Sequence, residues 1–189
     1  MSDAHRRPKT PDLTRQALLE AGAAVALRDG LSTLSLPAVA EAAEVTKGAV
    51  FHHFSSRQGL IEAIATEIIA RIDTECALAL VRDEGQDGGG YGRFTRAYLH
   101  CIFHPAHPAS PWAAPTCAYL ADPALAGLWR DWIGARLAAH AATDGTTALT
   151  SARLAADGYW LAKAFGPMPG ESAATLYAHL LALTRETAP

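Results

Sequence analysis

The spacing of apolar residues along the chain predicts helices throughout. No run alternates Val, Ile, Thr or aromatic residues with polar ones, and Ala and Leu dominate between Gly and Pro breaks. The breaks fall at 29–30, 84–90, 105–111, 144–145 and 166–170, which leaves segments of ordinary helical length. We therefore expect an all-α fold with about nine helices.

Near the N-terminus, residues that favour helix starts mark closely spaced helices. Ser and Thr side chains can accept hydrogen bonds from the free backbone N–H groups of a first turn, and Ser35 and Thr46 stand where such acceptors are needed. The predicted spans are Pro11–Arg28, Leu36–Ala43 and Lys47–Phe54, with a fourth helix after Ser55 and Ser56.

The second and third of these helices are typical of a helix-turn-helix, whose second helix enters the major groove of DNA. Gly48 and Ala49 are small enough to let the backbone approach the bases, and Lys47 can reach a base edge or a phosphate. His53 and Arg57 can contact flanking phosphates, which fix the register without reading sequence.

A structural interpretation of the same segment is also open. Residues 30 to 60 would then form only a three-helix packing unit, with Phe51 and Phe54 in its core. Both interpretations can hold together, since Phe54 is expected in the core in either case.

The distribution of charge agrees with a nucleic-acid partner more than the total does. The net charge is −3, but residues 1–60 carry seven Lys and Arg against six acids. This small excess becomes informative because Lys47, His52, His53 and Arg57 lie in one short segment.

Three cysteines, Cys76, Cys101 and Cys117, include no CxxC pair. Reduced, mostly buried thiols are expected, and a redox-sensing pair is the alternative.

The N-terminal part resembles the TetR family of bacterial transcriptional regulators. The matching residues are Arg15, Leu18 to Ala21, Asp29-Gly30, Ser35, Val39-Ala40, Ala43, Val45 to Arg57 and Leu60. The resemblance implies a DNA-binding domain over 1–56 and a ligand-binding and dimerisation domain over 57–189. It assigns DNA contacts to Ser35, Thr46, Lys47, Gly48, Ala49, Phe51, His52, His53 and Arg57.

Three residues depart from the family pattern. Phe51 replaces a tyrosine whose hydroxyl bonds a phosphate, Glu44 replaces a glycine in the turn, and Ala26 replaces a phenylalanine. Glu44 would have to adopt a left-handed conformation at a cost of about 1 kcal/mol.

The C-terminal segments 151–165 and 172–187 are similar to the two helices that pair across the family's dimer. The side chains expected in this homodimer interface are Tyr159, Trp160, Leu176, Leu180 and Leu183. The alternative is a hairpin of the two helices within one chain, which would leave no second DNA-binding unit for a palindromic operator.

Aromatic residues are frequent in the middle of the chain. Such clusters usually belong to a hydrophobic core, but the resemblance implies that some of them line a cavity for a small, mostly apolar or aromatic effector. The residues expected to line this pocket are Tyr98, His100, Phe103, His104, Trp112, Tyr119, Trp129 and Trp132.

His100 and His104 have the i, i+4 spacing of metal ligands. A helical projection places them with Arg93 and Arg96 on a basic face, which repels a dication, and no carboxylate lies beside them. We expect no metal; pocket polar groups or a solvated, salt-bridged face are the alternatives.

The function expected from these features is a cytoplasmic repressor released from a palindromic double-stranded operator by its effector, without cofactor or membrane span. The basic, polar segment Met1–Thr10 has no apolar stretch behind it. No catalytic constellation points to an enzyme; a His-metal hydrolase, or a ligand carrier that has lost DNA affinity, are the alternatives.

Overall fold

A computed structural model of the protein describes residues 11–83, 90–104, 123–163, 166, 170 and 172–185. Within these ranges every regular element is helical, which confirms the all-α expectation. The helices are α1 (Pro11–Asp29), α2 (Leu36–Ala42), α3 (Lys47–His53), α4 (Arg57–Asp83), α5 (Arg93–Phe103), α6 (Pro123–Ala139), α7 (Ala141–Asp144), α8 (Thr147–Lys163) and α9 (Ala173–Ala182), with a short 3-10 turn at Leu31–Thr33.

The chain divides into two compact units, Met1–Ile64 and Ala65–Pro189, called unit 1 and unit 2 below. Helix α4 contributes residues to both. The functional boundary expected between residues 56 and 57 stays a prediction. None of the helices described here is both long and apolar enough to cross a bilayer.

Unit 1 is built around an apolar core to which α1, α2, α3 and the start of α4 all contribute. Gly22 permits a close approach here, because a Cβ at this position would lie 2.9 Å from Cδ1 of Ile64. Ala26, which replaces the family's phenylalanine, is also buried. The largest fully buried side chains of this core are Leu18, Leu19, Val25, Leu34, Val39, Val50, Leu60 and Ile64.

Side-chain oxygens cap the short helices of unit 1 as the sequence predicts. Ser35 Oγ accepts from Ala38 N at 3.3 Å, and Thr46 Oγ1 accepts from Ala49 N at 3.3 Å. At the start of α4, Ser56 Oγ accepts from the N–H of the third residue beyond it at 3.0 Å. These hydrogen bonds satisfy backbone donors that have no partner within the helix.

The turn between α2 and α3 keeps its geometry although glutamate occupies the position of glycine. Glu44 has φ 53°, in the left-handed region. Its N–H donates to Glu41 O at 3.1 Å, and Val45 N donates to Ala40 O at 3.0 Å. This pair of bonds is a Schellman motif, in which the left-handed residue is usually glycine. The predicted conformation of Glu44 is therefore confirmed.

Unit 2 has a separate core in which α5 packs against α8 and α9. Helix α8 starts at Thr147, earlier than the predicted residue 151, and the predicted end at Phe165 lies outside the described residues. One cluster of buried residues in this unit comprises Cys76, Phe94, Tyr98, Leu99, Cys101, Ala152, Ala156 and Leu180.

A buried carboxylate completes the first turn of α5. Asp144 accepts from Thr95 N at 2.8 Å and Thr95 Oγ1 at 2.6 Å, and from Phe94 N at 3.4 Å. Arg153, also buried, donates to Thr95 Oγ1 at 2.6 Å and to the Asp144 carbonyl at 3.2 Å. The cap of α5 is thus supplied by a residue that lies far along the chain, at the end of α7.

Arg96 is buried, so the expectation that it lies on a solvated face is wrong. Its guanidinium pairs with Asp83 at 2.8 Å and also donates to the carbonyl oxygens of Tyr91 at 2.7 Å and Thr184 at 2.6 Å. The alternative of a salt-bridged arrangement is therefore correct for this arginine. Gly92 allows this packing, because a Cβ there would lie 2.7 Å from Thr184 O.

Candidate functional site

The outward face of α3 is the candidate nucleic-acid interface. Val50 is buried and anchors the helix, whereas Lys47, Gly48 and His52 are exposed. Phe51 is 54% exposed, whereas Phe54, which directly follows α3, is buried in the core of unit 1. The purely structural interpretation is therefore wrong for Phe51 and correct for Phe54. A helix that turns a lysine, a histidine and a phenyl ring outward beside a glycine offers donors and contact area to a groove.

The other predicted DNA contacts flank this face. Thr46 is exposed and Ala49 and His53 are half-buried on α3, while half-buried Ser35 stands at the start of α2. The His52 and His53 rings meet edge to face with centroids 5.2 Å apart. The hydroxyl oxygens of Ser35 and Thr46 accept helix-capping bonds, so they position the two helices in addition to any contact they make with DNA.

Arg57 has a structural role in unit 1 that the sequence did not reveal. Its Nε donates to Leu34 O at 2.7 Å, and its Nη2 donates to Leu31 O at 2.7 Å. These two bonds tie the start of α4 to the segment that precedes α2. The side chain is nevertheless exposed, so its charge remains at the surface of the unit.

In unit 2, three of the predicted pocket residues form one aromatic cluster. The Tyr98 ring centroid lies 6.5 Å from that of Trp129 and 6.4 Å from that of Trp132, and the two indoles are 5.0 Å apart. The Phe94 ring, 6.0 Å from Tyr98, extends the cluster toward His140, on which it stacks at 5.2 Å. We call Phe94, Tyr98, Trp129 and Trp132 the aromatic cluster.

Two carboxylates that sequence reasoning missed hold the polar atoms of this cluster. The Tyr98 hydroxyl donates a short hydrogen bond to Asp157, and Trp132 Nε1 donates to Asp73 at 2.7 Å. Burial raises the pKa of Asp157, although the bond from Tyr98 and the charge of Arg153 oppose the shift. Burial, followed by the nearby Asp157, raises the pKa of Tyr98, so the phenol is a neutral donor near pH 7.

Three further pocket candidates, His100, Phe103 and His104, lie at the C-terminal end of α5. The Phe103 ring stacks on Tyr159 with centroids 4.4 Å apart, and exposed His104 meets the Tyr177 ring edge to face at 4.7 Å. Burial and the neighbouring His104 lower the pKa of His100. Trp112 and Tyr119 lie outside the described residues.

In the parts of the chain that the structure covers, no group of three His, Cys, Asp or Glu side chains could hold a metal ion. The pair of histidines therefore lacks a third ligand among those residues.

The tail helices correct part of the predicted dimer interface. Leu180 is only 3% exposed and lies in the core of unit 2, so its side chain is not available to a second protomer. Leu176 and Leu183 pack partly against the same core. Tyr159, stacked on Phe103, and Trp160 are half-buried.

The exposed face of α8 instead presents an apolar stripe. Leu154 is 64% exposed and Leu161 is 38% exposed, with exposed Gly158 between them. This stripe was not predicted, although the i, i+4, i+7 spacing of Leu154, Gly158 and Leu161 is visible in the sequence. On α9, the exposed alanines are Ala173, Ala174, Ala178 and Ala182, of which the last three have the spacing i, i+4 and i+8.

Two family models match this chain, one over most of unit 1 and one over the C-terminal part of unit 2. The family described as bacterial regulatory proteins, tetR family, matches residues 18–64. The family described as tetracyclin repressor-like, C-terminal domain, matches residues 92–185.

Solved structures share the fold at low sequence identity. A protein of Pseudomonas aeruginosa PAO1 named as a transcriptional regulator has a TM-score of 0.71 and 18% identity, covering 95% of this chain and 92% of its own. The multidrug binding protein EbrR, complexed with malachite green, has a TM-score of 0.69 and 21% identity, with coverage of 91% and 98%. A TetR-like transcriptional regulator from Rhodococcus sp. RHA1 has a TM-score of 0.66 and 17% identity, with coverage of 95% and 96%.

Proposed function

This chain belongs to the tetR family of bacterial regulatory proteins and is a transcriptional regulator, and on that premise we propose that it is a homodimeric repressor released from a palindromic operator by a small aromatic effector. The observation that carries the proposal is the outward face of α3, where Lys47, Phe51 and His52 are exposed on a helix that buries Val50.

In this proposal, Lys47 and the small residues beside it contact the major groove, while Phe51 lies against the sugar-phosphate backbone. Lysine contributes a full charge to phosphate binding, whereas a phenyl ring contributes only contact area. The two side chains should therefore respond differently to salt, and that difference is the basis of the test.

The experiment measures affinity against salt for a duplex selected from a random pool and for a scrambled duplex. If Lys47 contacts a phosphate, Lys47→Ala should lower the slope of log K against log salt by about 0.9. Arg130→Ala, which removes an exposed charge from α6, is the matched control and should leave the slope unchanged. An equal slope in wild type and Lys47→Ala would place Lys47 away from phosphate.

Phe51→Tyr sharpens the same test. The added hydroxyl should strengthen binding to both duplexes by about 1 kcal/mol without changing the slope, because a neutral donor releases no counterion. If both affinities stay the same in a folded protein, α3 does not lie on DNA as proposed.

We assign the dimer contact to the exposed stripe of α8, Leu154, Gly158 and Leu161, packed with the alanine face of α9. Exposed leucines at helical spacing cost free energy unless a partner covers them, and two helices from each chain would form a four-helix bundle. Gly158 supports this arrangement, because a Cβ placed there would face open space beyond the backbone of its own helix, and a glycine inside an exposed helix otherwise only weakens it. Such a dimer presents its two α3 helices to half-sites about 34–36 Å apart, or somewhat further.

Light scattering tests the dimer with a matched pair of substitutions. Leu154→Glu should give monomers at micromolar concentration, whereas Leu78→Glu, at a leucine of α4 that is 52% exposed, should leave the dimer intact. A monomeric wild-type protein, or equal effects of the two substitutions, would refute this assignment.

The aromatic cluster supports an effector of the same chemistry. Stacked rings with a few fixed polar groups are typical of ligand pockets, and Asp157 and Asp73 supply those polar groups here. EbrR, similar in fold, was crystallised with malachite green, an aromatic dye. We propose an aromatic effector that binds beside Tyr98 and Trp129. Its binding would change the affinity for DNA through α4, which supplies residues to both units.

Malachite green is a suitable probe, with tryptophan fluorescence as the signal. Binding should lower operator affinity by a coupling of about 1–3 kcal/mol, and operator DNA should weaken dye binding by the same factor. A dye that binds without any change in operator affinity would exclude this site as the effector site for that chemistry.

A carrier of aromatic ligands that has lost DNA affinity is the second candidate, motivated by Phe51 and Glu44. Glu44 is accommodated in the Schellman turn, which weighs against this candidate. Dye binding with no salt-dependent DNA binding at all would favour it.

A further inference from the structure

Two cysteines meet inside unit 2. Cys76, on α4, and Cys101, on α5, are free thiols, and their sulfur atoms lie 3.2 Å apart. They are only 2% and 7% exposed. Their Sγ atoms would have to approach by about 1.2 Å to reach the covalent distance of a disulfide. Nothing in the DNA-binding or dye-binding proposal uses this pair.

In the reduced protein the two thiols are joined by a hydrogen bond. The hydrogen bond to Cys101, followed by burial, raises the pKa of the Cys76 thiol. Since the thiolate is the reactive form, this shift slows the reaction of Cys76 with any oxidant, and access to the buried pair then decides which oxidants react.

The side chains around Cys76 and Cys101 determine which oxidants can reach the two thiols. The thiols share a core with Phe94, Tyr98 and Leu99, and the indoles of the aromatic cluster pack against the same core. An apolar environment excludes charged oxidants, because burying a charge without a partner is costly. A neutral organic hydroperoxide carries no such penalty and has the apolar character of the proposed effector.

We propose that Cys76 and Cys101 form a reversible disulfide when the protein meets an organic hydroperoxide. One thiol loses its proton and its sulfur attacks the terminal peroxide oxygen; the O–O bond breaks, and the alcohol leaves with a proton. The resulting sulfenic acid is attacked by the second sulfur, the S–O bond breaks, and water leaves. The peroxide is reduced by two electrons and the two thiols are oxidised by two.

The disulfide would fix α4 against α5. Because α4 also supplies residues to unit 1, the crosslink should alter operator binding, and this consequence rests on the proposed function. We expect the oxidised protein to bind its selected duplex about 5- to 150-fold more weakly, the range of ordinary allosteric coupling, and dithiothreitol to restore binding.

The experiment treats full-length reduced protein with cumene hydroperoxide and, separately, with oxidised glutathione. Mass spectrometry without reductant should show the loss of two hydrogen atoms and a crosslinked peptide pair containing Cys76 and Cys101, formed faster with the hydroperoxide. Cys117→Ser should retain this product, whereas Cys76→Ala and Cys101→Ala should each abolish it. Alanine is used because it buries no unpaired hydroxyl.

The outcomes separate the claims. A disulfide that involves Cys117, or sulfinic acid on one cysteine without a crosslink, overturns the proposed pair. Faster reaction with oxidised glutathione overturns the proposed oxidant. A disulfide between Cys76 and Cys101 with unchanged operator affinity overturns the regulatory effect but confirms the redox site. A reduced protein that binds no DNA refutes the proposed function; the disulfide is then tested by mass spectrometry alone.

Discussion

The two units differ in where their polar side chains lie. All five buried polar or charged residues in the described part of the chain, Thr95, Arg96, Asp144, Arg153 and Thr184, lie in unit 2. In unit 1 the core is apolar, and the charged side chains of α3 face outward. Unit 2 therefore joins its helices through buried polar groups, whereas unit 1 has an apolar core and the arginine that links its helices, Arg57, is exposed.

Removing a buried polar group from unit 2 should therefore have the largest effect on stability. Asp144→Ala removes the acceptor of Thr95 N and Thr95 Oγ1 and the carboxylate that lies 4.0 Å from the guanidinium of Arg153, and we expect it to lower the free energy of unfolding by about 3–5 kcal/mol. Trp112, Trp129, Trp132 and Trp160 are the only tryptophans and all lie in unit 2, so their fluorescence during denaturation follows this unit. Asp131→Ala, at an exposed carboxylate of α6, is the control; a similar loss there would contradict the contrast.

In unit 1 the strongest polar link is the pair of bonds from Arg57. Arg57→Ala should destabilise the unit by about 1–2 kcal/mol, less than Asp144→Ala because the side chain is exposed and water can replace it. Hydrogen exchange of the Val39 and Val50 amides measures this unit alone.

Two variants separate the charge of Arg57 from its hydrogen bonds. Arg57→Lys keeps the charge but cannot donate to Leu31 O and Leu34 O as a planar fork does, so it should recover only part of the stability. Arg28→Ala, at an exposed arginine, should have no measurable effect. Equal protection in Arg57→Ala and wild type would show that these bonds do not stabilise unit 1.

The smallest effect is expected at the turn before α3. Glu44→Gly removes the strain of a left-handed glutamate and should stabilise unit 1 by about 0.5–1 kcal/mol. Glu44→Ala keeps a Cβ in the same conformation and should give no gain. Equal exchange rates in the two variants would show that the backbone of Glu44 is unstrained.

How well the sequence predicted each feature depended on the distance along the chain between the interacting groups. The caps at Ser35 and Thr46, and the left-handed Glu44, involve partners only a few residues away, and all were predicted. The boundaries of α2 and α3 were predicted to within a residue for the same reason.

The errors concern residues whose partners are distant. Arg96 was expected on a solvated or salt-bridged face; the salt bridge is present, but a helical projection could not show that Asp83 and the Thr184 carbonyl bury this arginine. Leu180 was assigned to the dimer because an apolar helix face does not reveal which side the chain itself covers. The contact between Cys76 and Cys101 likewise depends on tertiary packing, so the cysteine spacing alone could not show it.

The distant cap of α5 also bears on the order in which the protein takes shape during synthesis. The Asp144 carboxylate lies 49 residues beyond Thr95, and Arg96 donates to a carbonyl 88 residues beyond it. On the ribosome, α5 emerges well before either partner, so unit 2 cannot complete its interior until nearly the whole chain has been made. Unit 1 ends at Ile64 and can fold earlier, since domains generally fold as units from the N-terminus. A nascent chain would therefore hold a finished DNA-binding unit before it has a unit able to sense an effector.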